Sequence, residues 1–343
     1  MTAEADRVVV VGSGSAGRRH VTALRAALPD AELVVVRRRA SEQPMDALRA
    51  AGATVVEGLA EALARVPRPD LAVVAGPATH HAVVAEALGR AGSAVLVEKP
   101  LTADVVTARE LAGRFDALRR PLLVGYHLTR GDTVPELGRL LSSGAVGPPS
   151  SFDLSVGQQL AEWRPGAADR SVSARAELGG GVLLELSHEL DGLVHLLGPV
   201  SDVRVKEMRH DGAPTDGVVD TSVDLELTLE SGARGTVHLD MVTPTPTRIW
   251  RFRGPRGELV ADLLAGRIEL HGAGGPPPSV LREGTPGERD RAEHRLIAEL
   301  VASAGERRGT GAEVARVVEA ARRSHGCGGA PCPVDRPATA VTT

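Results

Sequence analysis

Three groups of residues in this chain carry chemistry by type and spacing. The first is a lysine: of forty basic residues, only Lys99 and Lys206 are lysine rather than arginine. Lys99 ends the apolar run of "SAVLVEKPL" (93–101), directly before Pro100. An ammonium differs from a guanidinium in having a proton it can give up, because burial lowers its pKa while arginine stays charged. The plainer alternative is a strand-end lysine reaching past apolar surface to water. The second group lies in "GGGVLLELSHELDGLVHLLG" (179–198). On a helix, Leu186, Leu190, Leu193, Val194 and Leu197 make one face, and His188, Asp191 and His195 fall nearly opposite through i, i+3 and i+7 spacing. A solvated face, a metal site and a catalytic face compete as readings. The metal reading lacks a further protein ligand. The catalytic one fits best, with His188 as an acid–base group near neutral pH.

The third group is a glycine turn. In "RVVVVGSGSAGRRHVTALRAAL", Gly12, Gly14 and Gly17 follow a valine run, and Val21, Leu24 and Leu28 continue at helical spacing. Gly12 permits the tight turn, Gly14 lets the backbone approach a pyrophosphate, and Gly17 allows close helix–strand packing. Ser13, Ser15 and Ala16 fill the turn, whose following helix aims its first amides at the phosphates. Flanking strand and helix are what give the triplet weight. About twenty residues beyond the last glycine, an acid reads a ribose 2′-hydroxyl, whereas arginine suits a 2′-phosphate. Arg37, Arg38 and Arg39 stand there, so NADP is favoured over NAD, the alternative being a solvated loop.

The elements that must position these groups read as two kinds. Up to Tyr126, buried strands alternate with helices: Val8–Val11, Leu33–Val36, "DLAVVAGP", "SAVLVEKPL" and "PLLVGYH" are strands, with helices from His81 and Val105 between the later ones. Such alternation means right-handed crossovers and a parallel sheet, whose ligands lie beyond the carboxyl ends of the strands. Gly76–Pro77, Glu98–Lys99–Pro100 and Tyr126–His127 fall at those ends. After Tyr126 the segments turn to period two, as in Val223, Leu225, Leu227 and Leu229, which predicts a mostly antiparallel sheet. Helices over 292–304 and 312–324 are expected to pack back on the first domain, and "HGAGGPPPSV" (271–280) to be a surface loop.

Composition narrows the function classes. At 343 residues two domains are expected. Aromatics are 2%, so the cores rest on Leu, Val and Ala. A net charge of −4, with no arginine stripe carrying interleaved aromatics, argues against nucleic acid as partner. Cys327 and Cys332 make neither a zinc site nor a disulfide framework and read as unpaired thiols in a tail. "MTAEADR" has no apolar leader segment and no run is long enough to span a membrane, so a soluble cytoplasmic protein is expected.

"GSGSAGRRH" (12–20), "GPATHH" (76–81), "VEKPL" (97–101) and "GGGVLLELSHELDGL" (179–193) together resemble the Gfo/Idh/MocA oxidoreductases, the glucose-fructose oxidoreductase and inositol dehydrogenase group, in order and approximate spacing. The resemblance implies nicotinamide-dependent redox chemistry at a hydroxyl carbon of a sugar or cyclitol. It places Lys99 beside the nicotinamide, commonly with a cis Lys–Pro bond, and it matches His81 to a cofactor-side histidine. It implies that Trp163 and Arg164 cover the cofactor, a tryptophan plugging an interdomain seam being the alternative. It also implies pairing of subunits through the open sheet face. Hydride leaves a carbinol carbon only as the hydroxyl proton leaves, which gives Lys99 its task. The family's Asp before the histidine is Glu185 here, which either orients His188 or belongs to the helix's first turn. The family's arginine after "GY" is Thr129, followed by Arg130. Tyr126 either donates to substrate or caps a core.

These readings combine into an α/β protein. Residues 1–125 form an N-terminal Rossmann dinucleotide-binding domain, residues 126–325 a C-terminal α+β domain with a mostly antiparallel open sheet, and residues 326–343 a tail. Lys99, His188, Asp191 and Glu185 are the catalytic candidates. Gly12, Ser13, Gly14, Ser15, Ala16, Gly17, Arg37, Arg38, Gly76, Pro77, His81, Glu98, Lys99, Trp163 and Arg164 are assigned to NADP or NAD. Lys99, Tyr126, His127, His188 and Asp191 are assigned to a sugar-like substrate, with no metal, and a homodimer or homotetramer is expected. A sugar-modifying enzyme that uses bound NAD without net redox, a non-catalytic dinucleotide-binding protein, and a reductase of imines or nucleotide sugars are the alternatives.

Overall fold

A computed structural model describes residues 5–37, 45–275, 277–303 and 311–335. Two compact units result. The first takes the chain as far as Asp132, with Glu177–Gly179 and Thr285–Ala312; the second takes Thr133–Ala176, Gly180–Gly284 and the chain from Glu313.

The first unit alternates strand and helix: β1 (Arg7–Val11), α1 (Ser15–Ala27), β2 (Glu32–Val36), α2 (Asp46–Ala50), β3 (Thr54–Val56), α3 (Leu59–Arg65), β4 (Leu71–Val74), α4 (His81–Arg90), β5 (Ala94–Val97), α5 (Val105–Leu118) and β6 (Leu122–Val124). The sheet order is β3-β2-β1-β4-β5-β6 with every neighbour parallel. Val8, Val9, Val10, Val34 and Val35 are at most 1% exposed, the signature of strands covered on both faces. The short edge strand β3 adds a sixth to the five strands expected. Its three residues are only half-buried apart from Val56, so no long apolar run announces it.

The second unit contains α6 (Thr133–Ser142), β7 (Ser151–Gly157), α7 (Leu160–Trp163), α8 (Val182–Glu185), α9 (His188–Leu197), β8 (Val200–Arg209), β9 (Ser222–Leu229), β10 (Arg234–Asp240), β11 (Thr247–Gly254), β12 (Gly257–Asp262), β13 (Arg267–Gly272) and β14 (Ser279–Arg282). After α10 (Glu288–Ala302), α11 (Gly311–Gly326) and β15 (Cys332–Pro333) end the described chain. The nine-stranded order is β14-β13-β12-β11-β7-β10-β9-β8-β15, antiparallel except where β7 meets β10. Val223, Leu225, Leu227 and Leu229 are buried, while Asp224, Glu226 and Thr228 between them are partly exposed. The partly exposed face is laced by cross-strand pairs, among them Lys206–Glu226 at 3.2 Å and Thr236–Asp153 at 2.7 Å.

Four expectations need correction. The helix read from Glu185 and Leu186 on to Leu197 is interrupted: Glu185 ends α8, and α9 starts only at His188. Both ends of the anticipated surface loop 271–280 are strand: 271–272 close β13, and 279–280 open β14 beside it. The last helix, α11, belongs to the second unit, where the Ser324 hydroxyl accepts the Val205 amide of β8 at 2.9 Å. The tail from 326 begins with a reversal instead: Gly329 donates to the Ser324 carbonyl, and Cys332 and Pro333 pair with Val203 and Asp202. Apolar stripes tell that a helix is covered on one side, not which sheet covers it. In contrast to α11, α10 joins the first unit, where Leu296, Ile297 and Leu300 enter the core beside Val8, Val10, Leu24 and Leu96.

Candidate active site

Register lays one row of residues across the first sheet: Val36, Val11, Val74, Val97 and Val124 are successive partners. Every one of these strands ends there, so Arg37, Gly12, Ala75, Glu98 and Gly125 form the next row. Its amides keep the ladder: Gly12 donates to Val36, Ala75 to Val11, Glu98 to Val74 and Gly125 to Val97, at 2.8 to 2.9 Å. With about 4.8 Å per strand, Arg37 and Glu98 stand roughly 14 Å apart along one edge.

The glycine turn lies inside that row. Gly12 has φ +120°, and a Cβ there would sit 2.5 Å from the Ala75 carbonyl oxygen; one at Gly17 would sit 1.9 Å from the Gly12 carbonyl oxygen. Both positions therefore demand glycine. A Cβ on Gly14 would meet no heavy atom within 4 Å, so the backbone is bare toward open space. Ser13 is buried, and its carbonyl accepts Arg18 Nε at 3.2 Å. The thirteen-residue α1 starts at Ser15 and Ala16 with no side-chain cap and no acid in its first turn. Its leading amides face no competing carboxylate, which fits a pyrophosphate. Arg37 pairs with Glu57 at 3.3 Å. Arg38 and Arg39 lie outside the described residues.

At the end of β4, a Cβ on Gly76 would also meet nothing within 4 Å, and Pro77 leads into the short turn Ala78–His80. His81 is 1% exposed, with Nδ1 2.9 Å from the Pro100 carbonyl oxygen and Nε2 2.9 Å from that of Gly76. Burial lowers its pKa, and a neutral ring has a single N–H to donate. The ring donates to one of these carbonyls while its other nitrogen faces the second, so His81 sits between two strand ends. Tyr126 is 1% exposed and belongs to the core. His127 opens the turn His127–Arg130, Thr129 is buried, and Arg130 forks onto Glu299 of α10 at 3.0 and 3.3 Å.

Lys99 follows β5 with a cis bond to Pro100 and is half-buried. Its amide donates to Glu98 Oε2 at 3.2 Å, and Glu98 Oε1 meets His20 Nε2 at 2.7 Å. Burial works against the Glu98 carboxylate, but the His20 hydrogen bond and the charges of His20, Lys99 and His127 bring its pKa down to about 2. Sequence reasoning passed over His20, although it closes the glycine motif. The visible signal was a histidine on the helix side of that turn.

In the second unit, α9 carries His188 at its first position, and His188 and Asp191 are 5% and 6% exposed. His195 is exposed, so the three do not share one environment. Among the described residues no group of three His, Cys, Asp or Glu side chains is arranged to hold a metal. Glu189, 0% exposed, takes Arg248 Nε and Nη2 at 2.7 and 2.9 Å and the Trp250 indole N–H at 3.2 Å. That fork fixes α9 to β11, and a Cβ on Gly192 would lie 2.0 Å from the Trp250 ring. Glu185 accepts the Ser173 hydroxyl at 2.9 Å and lies 3.9 Å from Arg164. Trp163, half-buried, donates its indole N–H to Gln158. The α8 start is held by Asp220, whose carboxylate accepts the Leu183 amide at 2.7 Å.

A parallel β3-β2-β1-β4-β5-β6 sheet with a glycine turn and an open strand-end row defines a dinucleotide-binding α/β protein. Residues 7–126 match the family described as "oxidoreductase family, NAD-binding Rossmann fold" and residues 134–272 match the "GFO/IDH/MocA C-terminal domain". A dTDP-3,4-didehydro-2,6-dideoxy-alpha-D-glucose 3-reductase from Streptomyces violaceoruber is 31% identical over 76% of this chain and 74% of its own. An inositol 2-dehydrogenase from Mycolicibacterium gilvum is 29% identical over 83% and 78%. The fold matches levoglucosan dehydrogenase in complex with NADH at a TM-score of 0.83 and 19% identity, covering 96% of this chain and 99% of that one. It matches GenD2 from gentamicin A biosynthesis in complex with NAD at 0.81 and 24%, covering 98% of each. The chain belongs to the Gfo/Idh/MocA family and is an oxidoreductase with an NAD-binding Rossmann unit. Among the described residues no helix is long and apolar enough to cross a membrane.

Proposed function

We propose that this enzyme interconverts a hydroxyl and a keto carbon on a sugar, a cyclitol or a nucleotide-linked sugar, with NADP preferred to NAD. The observation that carries this reading is the strand-end row, which has Arg37 at one end, the bare glycine turn within, and Lys99 just past Glu98. When bound, the nicotinamide supplies the hydride acceptor or donor. Gly12, Gly14 and Gly17 with the α1 amides hold the pyrophosphate, and Arg37 meets a 2′-phosphate. Lys99 polarises the substrate oxygen or takes its proton, and His188 relays that proton. Asp191 and Glu185 position substrate or imidazole. The name of the Streptomyces relative favours a keto carbon on a nucleotide-linked sugar. Self-association through the partly exposed face of the nine-stranded sheet belongs to the same reading, and a monomer by light scattering removes it.

The test is a panel of inositols, levoglucosan and dTDP-linked keto sugars assayed with NAD and NADP by nicotinamide absorbance. Lys99→Ala is expected to lower kcat by about 10²–10⁴ while leaving cofactor Kd nearly unchanged, the usual worth of a proton-transfer group. Turnover near wild type removes Lys99 from the chemistry. Arg37→Asp is expected to move the NADP/NAD ratio of kcat/KM toward NAD, and an unchanged ratio overturns the 2′-phosphate assignment.

A further inference from the structure

A buried histidine that the chemistry above does not use sits behind Lys99. His20 is 0% exposed on α1, three residues past the last glycine of the turn. Its Nε2 lies 2.7 Å from Glu98 Oε1. Its Nδ1 faces Oε2 of Glu293, on α10, at 3.4 Å, an ion-pair distance without a hydrogen bond. Glu293 is 4% exposed at its side chain, and its other oxygen takes Arg19 Nε at 3.1 Å. Glu98 turns its second oxygen to the Lys99 amide at 3.2 Å. Gly125 closes over the same carboxylate, where a Cβ would stand 3.1 Å from Oε2. Three elements distant in sequence therefore converge: the glycine-turn helix, the end of β5, and α10.

The arrangement makes sense as a charge balance. An uncompensated carboxylate next to an amine holds that amine protonated, which defeats a group that must release a proton. An imidazolium on Glu98 cancels the carboxylate, and Glu293 with Arg19 accommodates the imidazolium in turn. Burial disfavours a charged His20, yet the Glu98 hydrogen bond and the charges of Glu98 and Glu293 outweigh it and Arg19, so its pKa is raised.

We infer that His20 is a positioning residue: held between Glu98 and Glu293, it orients and neutralises the carboxylate beside Lys99 and so keeps that lysine able to exchange its proton. This rests on the role given to Lys99 above, but its test needs no substrate. Because the chain has only Lys99 and Lys206, lysine labelled with carbon-13 at Cε yields two signals, and Lys206→Arg assigns them. In His20→Gln the titration midpoint of the Lys99 signal is expected to rise by about one pH unit or more, the effect of a nearby unbalanced charge. In Glu98→Gln it falls, and in the double variant, neutral at both positions, it returns close to wild type. A midpoint unmoved in His20→Gln, or a double variant that keeps the single variant's shift, overturns the inference. Should His20→Gln fail to fold, nitrogen-15 spectra of the wild-type ring decide: an imidazolium through neutral pH supports the inference, and a neutral ring overturns it. Loss of turnover in Lys99→Ala with an unmoved His20→Gln midpoint retires this inference alone. Wild-type turnover in Lys99→Ala instead retires the role of Lys99.

Discussion

Two glutamates, Glu98 mostly covered and Glu189 buried, stand next in sequence to the two residues proposed to move protons, and they are held differently. Glu98 precedes Lys99 and is paired with His20, a partner that titrates; Glu189 follows His188 and is gripped by Arg248, a partner that does not. Glu98 also takes the Lys99 amide, so its charge belongs to the lysine's surroundings. Glu189 takes only the guanidinium fork and the Trp250 indole, which sets the attitude of α9 on β11. The same residue type does two jobs, and the cation opposite decides which. A titrating partner couples a carboxylate to proton chemistry, and a permanent one makes it an anchor.

That contrast can be broken by experiment. Glu189→Gln is expected to cost the most stability, about 3–5 kcal/mol, because it strands a largely buried Arg248. The denaturant midpoint measures this, and a loss under about 1 kcal/mol would show that the fork is no anchor. A smaller effect, but one with a pH signature, belongs to Glu98. Its pKa is lowered in the folded state, so its stabilisation is present above the ordinary carboxylate value and is lost as pH falls toward about 2. His20 is raised, so its share is present below the ordinary imidazole value and is lost as pH rises through the folded one. Unfolding free energy should therefore lose its Glu98-linked slope on the acid side in Glu98→Gln, and a slope unchanged from wild type in that variant overturns the coupling.

The smallest effect is expected on the partly exposed sheet face. His238 lies between Asp224 and Asp240 at 2.7 and 2.8 Å, and both raise its pKa to about 9. Its contribution is present below the ordinary imidazole value and fades as pH rises through about 9. With the side chain 40% exposed, solvent and salt screen the pair with Asp224 to no more than about 1 kcal/mol. Asp224→Asn, followed by thermal unfolding at high and low salt, checks this.

Much of the first unit was legible along the chain, because what positions its chemistry is local. A valine run, a glycine turn and a helix pattern imply a parallel sheet, and a parallel sheet implies that residues one past each strand end share an edge. Arg37, Gly12 and Lys99 could thus be grouped before any coordinates. The second unit was less legible. Helical spacing puts His188, Asp191 and His195 on one face, and all three lie on α9, yet His195 is exposed while His188 and Asp191 are buried. Periodicity reports which side chains share a face of a helix, and says nothing of how far along that face its cover extends.

The sequence by itself determined five of the six strands of the nucleotide-binding half, the glycine turn, the family motifs and the position of a rare lysine at a strand end. These follow from patterns within a few turns of chain, where side-chain period and glycine's lack of a Cβ leave few alternatives. Only the tertiary structure decided that His81 lies between two carbonyls and Tyr126 in the core, that α10 and α11 part company, and that His20 meets Glu98 and Glu293 from far along the chain. Those outcomes depend on which distant groups a buried polar atom finds as its partner. A buried charge must find one, and nothing in its immediate neighbours names it.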